Sequence, residues 1–348
     1  MQTCLQIVQV YTYLSIDIYI EIDYYKTKHC KMFANEYFQK KCLRQAKPMI
    51  LSFDSGKIVA FTTSGSRTVA DGIAFSLEKG QSLALIGETG SGKTMTALAL
   101  MRLLPSNVKQ TGGKIVFLGE DLLLKKNIVS ILGKEIVYIP QSGADYLNPT
   151  ATVKSQLFDQ LKKNGVPKEK RLSEATNNLE KAGFGNPEEI LKKRSFELSG
   201  GMAQRVAIAL SLCSAPKLVV CDEATNGLND DESATFVNKL NELFPDAAKL
   251  VITHDIRVAN SCDKITVLCG GKVMENGDKN RVLSSPRHPY TRSLVRALTK
   301  NGMTPTPVLR AAQGDCPFFS RCAEADEKCL REIPFVIDEN GGRRCVRD

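Results

Sequence analysis

Eight residues, GETGSGKT from Gly87 to Thr94, follow the apolar run SLALI and carry the spacing G-x-x-x-x-G-K-[ST]. That spacing suits the backbone to a nucleotide phosphate. Gly87, Gly90 and Gly92 let the chain wrap closely, so that successive N–H groups across Glu88, Thr89 and Ser91 face the phosphates. The helix that must follow adds the positive end of its dipole. Lys93 is placed to reach the β- and γ-phosphates, and Thr94 to set its hydroxyl on Mg²⁺. Farther along, LVVCDEAT puts Asp222 and Glu223 at the carboxyl end of an apolar strand, where an open parallel sheet binds its ligand. Asp222 can hold the magnesium, directly or through water, and Glu223 can polarise an attacking water as general base. A third stretch, LSGGMAQR from Leu198 to Arg205, opens a helix with Ser199, Gly200 and Gly201 and makes a second anion site. Two phosphate-binding surfaces on different elements of one chain imply that the second serves a neighbour's nucleotide.

Such loops need strands and helices to hold them. SLALIG, KLVVCD and KLVIT (249–253) are short continuous apolar runs, as parallel strands buried on both faces require. Helices are expected over Lys93 to Leu104, Gly200 to Ser214 and Asp231 to Phe244, the first two stopped before Pro105 and Pro216. Strand, loop and helix in alternation make an α/β domain, and CGGKV at 269–273 reads as a hairpin turn. The domain runs from Met49 to Val282, with a helical subdomain at about 142–214. Residues 1–48 hold six of the nine tyrosines and read as an N-terminal extension, disordered or a misassigned start. Residues 283–348 form an appendage bearing SPRHPYTRSL and four cysteines, too short to require a core of its own.

Composition agrees with a globular chain: of 348 residues, 43% are hydrophobic and 24% charged. A net charge of +9 would suit nucleic acid or an anionic membrane, but the Lys and Arg residues are scattered. No run of 18 apolar residues offers a membrane span. Eleven cysteines without a signal peptide point to a reducing compartment, with thiols free or on metal.

Taken in order, the phosphate loop, Gln141 in VYIPQSG, LSGGMAQR, VVCDEAT and His254 in LVITHD resemble the ATPases of ABC transporters. The resemblance runs from about Met49 to the C-terminus. It implies a P-loop NTPase with a RecA-like core, a helical subdomain, an antiparallel β subdomain and a small Cys-bearing C-terminal extension. It also implies ATP hydrolysis in a head-to-tail pair, each nucleotide lying between one chain's phosphate loop and the other's Ser199, Gly200 and Gly201. By the same resemblance Gln141 senses magnesium and the γ-phosphate, and His254 holds the transition-state geometry. An aromatic ring is expected on adenine; Phe61 in VAFTTSG is the choice, with Phe53 as the alternative. The chain departs from the family's usual pattern at Ala224, where proline is usual, and at Asn229, where aspartate is usual, which puts rate and site-to-site coupling in question.

GETGSGKTMTALALMRLLP, Met202 and HPYT at 288–291 resemble the first of the two ATPases in oligopeptide, dipeptide and nickel importers. That resemblance implies an ATPase on the cytoplasmic face of the inner membrane, peripheral, bound to two transmembrane permeases and a second, homologous ATPase. An extracytoplasmic solute-binding protein is an indirect partner, and no nucleic acid is involved. Peptides are the expected cargo and nickel or a metal chelate the alternative; a soluble ABC ATPase acting on ribosomes or DNA is the rival class. Cys316, Cys322, Cys329 and Cys345 are spaced C-x5-C, C-x6-C and C-x15-C. Four thiolates suit zinc or an iron–sulfur cluster, and the spacing does not choose between them. Resemblance to the C-terminal segment of peptide-importer ATPases implies a [4Fe–4S] cluster. Cys213, Cys221, Cys262 and Cys269 read as plain buried thiols.

Overall fold

An apolar run without polar alternation holds as a strand only when both its faces are covered. SLALIG meets that condition in the computed structural model, where β3 (Ser82–Gly87) is buried at every position. The structure describes residues 47–225, 230–297, 315–339 and 341–347, with 230–234 described by backbone alone. Two expectations lie outside these residues: the N-terminal extension, up to residue 46, and the role of Asn229.

β3 pairs in parallel with β8 (Ala248–Thr253) on one side and β9 (Lys264–Cys269) on the other. The sheet continues past β8 through β7 (Leu218–Asp222) to β6 (Ile136–Ile139), all parallel. On the opposite edge β9 turns back into β10 (Lys272–Asp278), with Cys269 opposite Lys272, as the hairpin reading expected. β12 (Gly341–Arg343) and β11 (Val336–Asp338) then extend that edge antiparallel. A separate antiparallel sheet is ordered β2 (Gly65–Glu78), β1 (Met49–Thr62), β4 (Val108–Phe117), β5 (Glu120–Asp121).

The period of two along the parallel strands divides their side chains between two cores. Leu83, Leu85, Val220, Leu250 and Ile252 pack with Phe53, Phe75 and Ile115 of the antiparallel sheet and with Ala97 and Leu100 of α1 (Lys93–Leu100). Ala84, Ile86, Val219, Cys221 and Val251 share the other core with the helical layer. That layer comprises α2 (Gly143–Tyr146), α3 (Val153–Lys163), α4 (Arg171–Lys181), α5 (Pro187–Lys192) and α6 (Gly200–Ser211). In α3 the buried residues Val153, Leu157 and Leu161 recur every four positions, the stripe that a half-covered helix needs. The Thr152 hydroxyl accepts the Ser155 N–H at its start. Farther on lie α7 (Asp230–Leu243), α8 (Ile256–Ala259), α9 (Lys279–Ser284) and α10 (Pro289–Arg296).

Two helices are shorter than their sequence suggests. The spacing predicts that α1 runs to Leu104, before Pro105, but it ends at Leu100. Arg102 takes φ 55°. The Leu103 N–H returns to the Leu98 carbonyl at 2.8 Å. A left-handed residue with that long backward bond closes a helix without any proline. α6 stops at Ser211 rather than Ser214.

The C-terminal appendage does not stand apart. Tyr290, Cys316, Phe318, Cys329 and Ile333 belong to the same core as Ala84 and Ile86. Cys213, Cys221, Cys262 and Cys269 are free and buried. Burial pushes the thiols of Cys213, Cys262 and Cys269 up to about 12, which keeps them protonated. Among the described residues, no helix is long and apolar enough to cross a membrane.

Candidate active site

The phosphate loop leaves β3 where that strand ends between its parallel neighbours. Gly87 and Gly92 take φ 154° and 95°. A Cβ at Gly87 would stand 2.1 Å from the Leu268 carbonyl oxygen, and one at Gly92 3.0 Å from that of Val69. The close approach of β9 and β2 therefore requires glycine at these two positions. Lys93 is buried, and its Nζ donates to the carbonyls of Gly87 (2.8 Å) and Glu88 (3.0 Å), so the ammonium is held at the mouth of the loop. Burial lowers its pKa, against the carboxylates of Glu223, Asp222 and Glu88, which raise it. The Ser91 hydroxyl is buried and has no hydrogen-bond partner among the described residues. Thr89, Gly90 and Thr94 are exposed. An orphaned hydroxyl, an aimed ammonium and an open loop crest together fit a phosphate chain.

Asp222 ends β7 beside this loop. The Thr94 hydroxyl donates to one of its carboxylate oxygens at 3.2 Å and the Tyr138 hydroxyl to the other, also at 3.2 Å. Burial raises the Asp222 pKa, while those two hydrogen bonds and Lys93 oppose the rise. Thr94 and Asp222 thus stand side by side as the oxygen donors magnesium requires. Tyr138 is absent from the sequence-based set; its place one strand away from Asp222 comes from the β6–β7 pairing.

The next residue brings three expected groups together. Glu223 takes φ 46°. Its N–H donates to the Ile252 carbonyl at 2.8 Å. Its carboxylate accepts from Gln141 Nε2 at 3.3 Å and lies 3.4 Å from His254 Nδ1. A non-glycine residue in the left-handed region is uncommon, and here it turns the chain at the strand's carboxyl end. Gln141 arrives from the loop after β6 and His254 from the end of β8, so strands on either side of β7 deliver both.

Ser199 caps α6, its hydroxyl accepting the Met202 N–H at 3.3 Å. Ser199 and Gly200 are exposed, and a Cβ at Gly200 or Gly201 would meet open space. This helix start is therefore open on its outer side. Of the two aromatic candidates, Phe53 is excluded as an adenine stacker. It is fully buried and edge-on to Phe75 at 5.6 Å between ring centres. Phe61, near the tip of the β1–β2 hairpin, is exposed.

The loop's second residue has partners that sequence alone does not reveal. The Glu88 N–H donates to the Tyr290 hydroxyl at 3.0 Å, so in this structure it faces the C-terminal segment. Its carboxylate forms a 2.7 Å ion pair with Arg321. HPYT by itself reads only as a turn entering a helix. Nothing in that segment marks Tyr290 as the residue that turns back to the phosphate loop.

Cys316, Cys322, Cys329 and Cys345 converge on one small pocket with His288 and Glu324. Convergence is not coordination. Among the described residues no group of three or more His, Cys, Asp or Glu side chains stands close enough to hold a metal ion. The four cysteines thus do not fit the expected iron–sulfur cluster as a ready ligand set.

Residues 70–226 match the family model of the ABC transporter, and residues 274–329 match that of the oligopeptide/dipeptide transporter, C-terminal region. The dipeptide transport ATP-binding protein DppD of Bacillus subtilis is 34% identical over 79% of this chain and 88% of its own length. The oligopeptide transport ATP-binding protein OppD of Salmonella typhimurium is 34% identical over 86% and 94%. Among solved structures, the MJ0796 ATP-binding cassette, a dimer bound to ADP and phosphate, superposes with a TM-score of 0.58. It covers 66% of this chain and 99% of its own at 22% identity, a likeness of fold.

Proposed function

We propose, for a chain that belongs to the ABC transporter ATPases and within them to the dipeptide and oligopeptide transport ATP-binding proteins, that its ATP hydrolysis powers peptide uptake through two permease subunits. The observation that carries this reading is the pairing in one chain of an ABC ATPase region with the C-terminal region of oligopeptide and dipeptide transporters. A second, similar ATPase would complete the dimer, and the pair would lie peripherally against the cytoplasmic face of the membrane. Solute choice would rest with the permeases and an extracytoplasmic binding protein. Nickel or a metal chelate is the alternative cargo for the same machine.

Within the site, each residue has a task its position supports. Lys93 Nζ would leave the loop carbonyls for the β- and γ-phosphates. Magnesium, when bound, neutralises phosphate charge; Thr94 Oγ1 and Asp222 would hold it, with Gln141 nearby. Glu223 would take a proton from the attacking water. Its carboxylate is oriented for that by Gln141 and His254, and positioning of this kind is most of what phosphoryl transfer asks of a protein. Gly87 to Thr94 would wrap the phosphates, Phe61 would stack on adenine, and Ser199, Gly200 and Gly201 would meet the partner's nucleotide. The domain division at 49–282 and 283–348 serves this reading, with the second part reaching back to the phosphate loop through Tyr290 and Arg321. The four C-terminal cysteines take no part in this chemistry, and the [4Fe–4S] cluster expected there rests on the family resemblance of the segment.

The test is affinity capture of the tagged full chain from detergent-solubilised membranes, with mass spectrometry of the proteins that co-purify. Two permeases and a second ATPase are the expected catch. Ribosomal or DNA-repair proteins in their place would overturn the transport reading and leave an ATPase of another class.

A further inference from the structure

Arg321 lies between Cys316 and Cys322 in the C-terminal segment, far in sequence from the phosphate loop, yet its side chain is 2% exposed against that loop. One guanidinium nitrogen donates to the Glu88 carboxylate at 2.7 Å, and another lies 3.5 Å from the Cys269 sulfur at the end of β9. The guanidinium is stacked over the rings of Phe318 (4.9 Å) and Tyr290 (5.8 Å). Tyr290 is fully buried, and its hydroxyl takes the Glu88 N–H. Its own backbone N–H is held by His288 Nδ1 at 3.0 Å. Thus both polar ends of Glu88, backbone and carboxylate, are fastened by one aromatic-backed clamp built from the C-terminal segment.

The placement has an electrostatic consequence. Glu88 puts a carboxylate on the second residue of a loop built to receive a polyanion. Left unpaired and half-buried, that charge would oppose the phosphates at short range, where low dielectric strengthens repulsion. Arg321 cancels it, and the rings beneath fix the guanidinium so that the cancellation costs little entropy on binding.

We propose that Arg321 is a positioning residue for the nucleotide site, neutralising Glu88 and with Tyr290 holding the phosphate loop in the shape that receives ATP. This rests on reading the loop as an ATP site, and it adds that the C-terminal segment sets the affinity of that site.

The experiment is a double-substitution cycle on the full chain, read by titration with fluorescent N-methylanthraniloyl-ATP and by steady-state ATP hydrolysis. Arg321→Ala is expected to weaken nucleotide binding and raise KM about tenfold, through the short-range repulsion of the uncancelled Glu88 carboxylate, with kcat changed far less. In a Glu88→Gln background the same Arg321→Ala step is expected to cost less than about threefold, because the repelling charge is gone. Packing of Arg321 on its rings is the same in both backgrounds, so a merely structural role gives equal losses. Equal losses, or an Arg321→Ala chain that binds like the unaltered one, would overturn the proposal while leaving the ATP site standing. Failure of the unaltered chain to bind the analogue would overturn the ATP reading itself, and this proposal with it. Should Arg321→Ala not fold, Arg321→Met, which keeps an apolar stem against the rings but removes the charge, carries the same comparison: a loss that Glu88→Gln relieves supports the proposal, and no loss or one that Glu88→Gln leaves untouched overturns it.

Discussion

The Gln204 side-chain amide donates to the Pro140 carbonyl at 3.0 Å, tying the second turn of α6 to the residue immediately before Gln141. Gly143, at the start of α2, lies so near α6 that an added Cβ would stand 2.4 Å from the Ala203 carbonyl carbon. The helix opened by Ser199 and the loop that delivers Gln141 to Glu223 are therefore joined by direct contacts on both sides of Gln141. The exposed start of α6 is thus linked to the loop whose Gln141 donates to the Glu223 carboxylate at 3.3 Å.

Gly143→Ala tests how tight that contact is. The carbonyl carbon and oxygen of Ala203 and the Gln204 nitrogen are all backbone, and none can rotate away. Overpacking against rigid backbone costs about 1–3 kcal/mol, and urea denaturation should show a loss in that range. Hydrolysis should fall as well, since Gln141 is displaced with α2. An unchanged midpoint with unchanged turnover would mean that the two elements are not rigidly joined.

Ser91→Ala should separate stability from function. A buried hydroxyl with no partner destabilises the nucleotide-free chain, so its removal should raise stability by up to about 1 kcal/mol. If the hydroxyl is reserved for a phosphate, the thermal shift produced by saturating ATP should shrink in the same variant. Calorimetric Tm values with and without Mg-ATP decide the matter. A lower Tm without nucleotide would show that the hydroxyl already has a structural task.

What can be read from the sequence is what local spacing encodes. Gly87 to Thr94 announces its chemistry because phosphate, backbone and lysine must meet within eight residues. SLALIG and LVVCD announce strands because only a doubly covered strand is apolar throughout. The meeting of Gln141, Glu223 and His254 follows once parallel order is assumed, each standing at or just beyond the carboxyl end of its own strand. The Glu88–Arg321 pair is hidden for the opposite reason: 233 positions separate the partners, and nothing local to either requires the other. β12 is hidden too, since GGR at 341–343 shows no apolar alternation and pairs by backbone at an existing edge. Phe53 misleads as an alternative stacker because an aromatic before the phosphate loop reads alike whether it faces a core or a nucleotide.

Glu223→Gln keeps the shape and length of the side chain but removes the proton acceptor. Loss of a general base costs about 10²–10⁴ in rate, so kcat should fall by at least about 10² with ATP affinity largely kept. His254→Ala should lower kcat less, because it removes an orienting neighbour 3.4 Å away rather than the base. Single-turnover hydrolysis alongside nucleotide titration separates the two effects. Glu223→Gln with turnover near that of the unaltered chain would move the base to another residue.

Acid should act on the fold through His288, the cap of α10. The imidazole is buried, and desolvation, aided by the Arg292 charge, holds its pKa down at about 3. In the unfolded chain it titrates near 6.5, so below that pH the unfolded state binds a proton that the folded state refuses. The contribution is fully present above about pH 6.5 and declines toward pH 3, at up to about 1.4 kcal/mol per pH unit. Glu275 of β10 accepts the His288 N–H and holds the backbone there, while the side-chain Nδ1 accepts from Tyr290. His288→Asn keeps a capping acceptor and removes the titration. The stability gap between the unaltered chain and this variant, from urea midpoints, should narrow by roughly 2 kcal/mol between about pH 7 and pH 5. A gap that stays constant across that range would mean that the imidazole is protonated equally in both states. The His288 site would then be open to water, and the Tyr290 clamp on Glu88 would lose its buried footing.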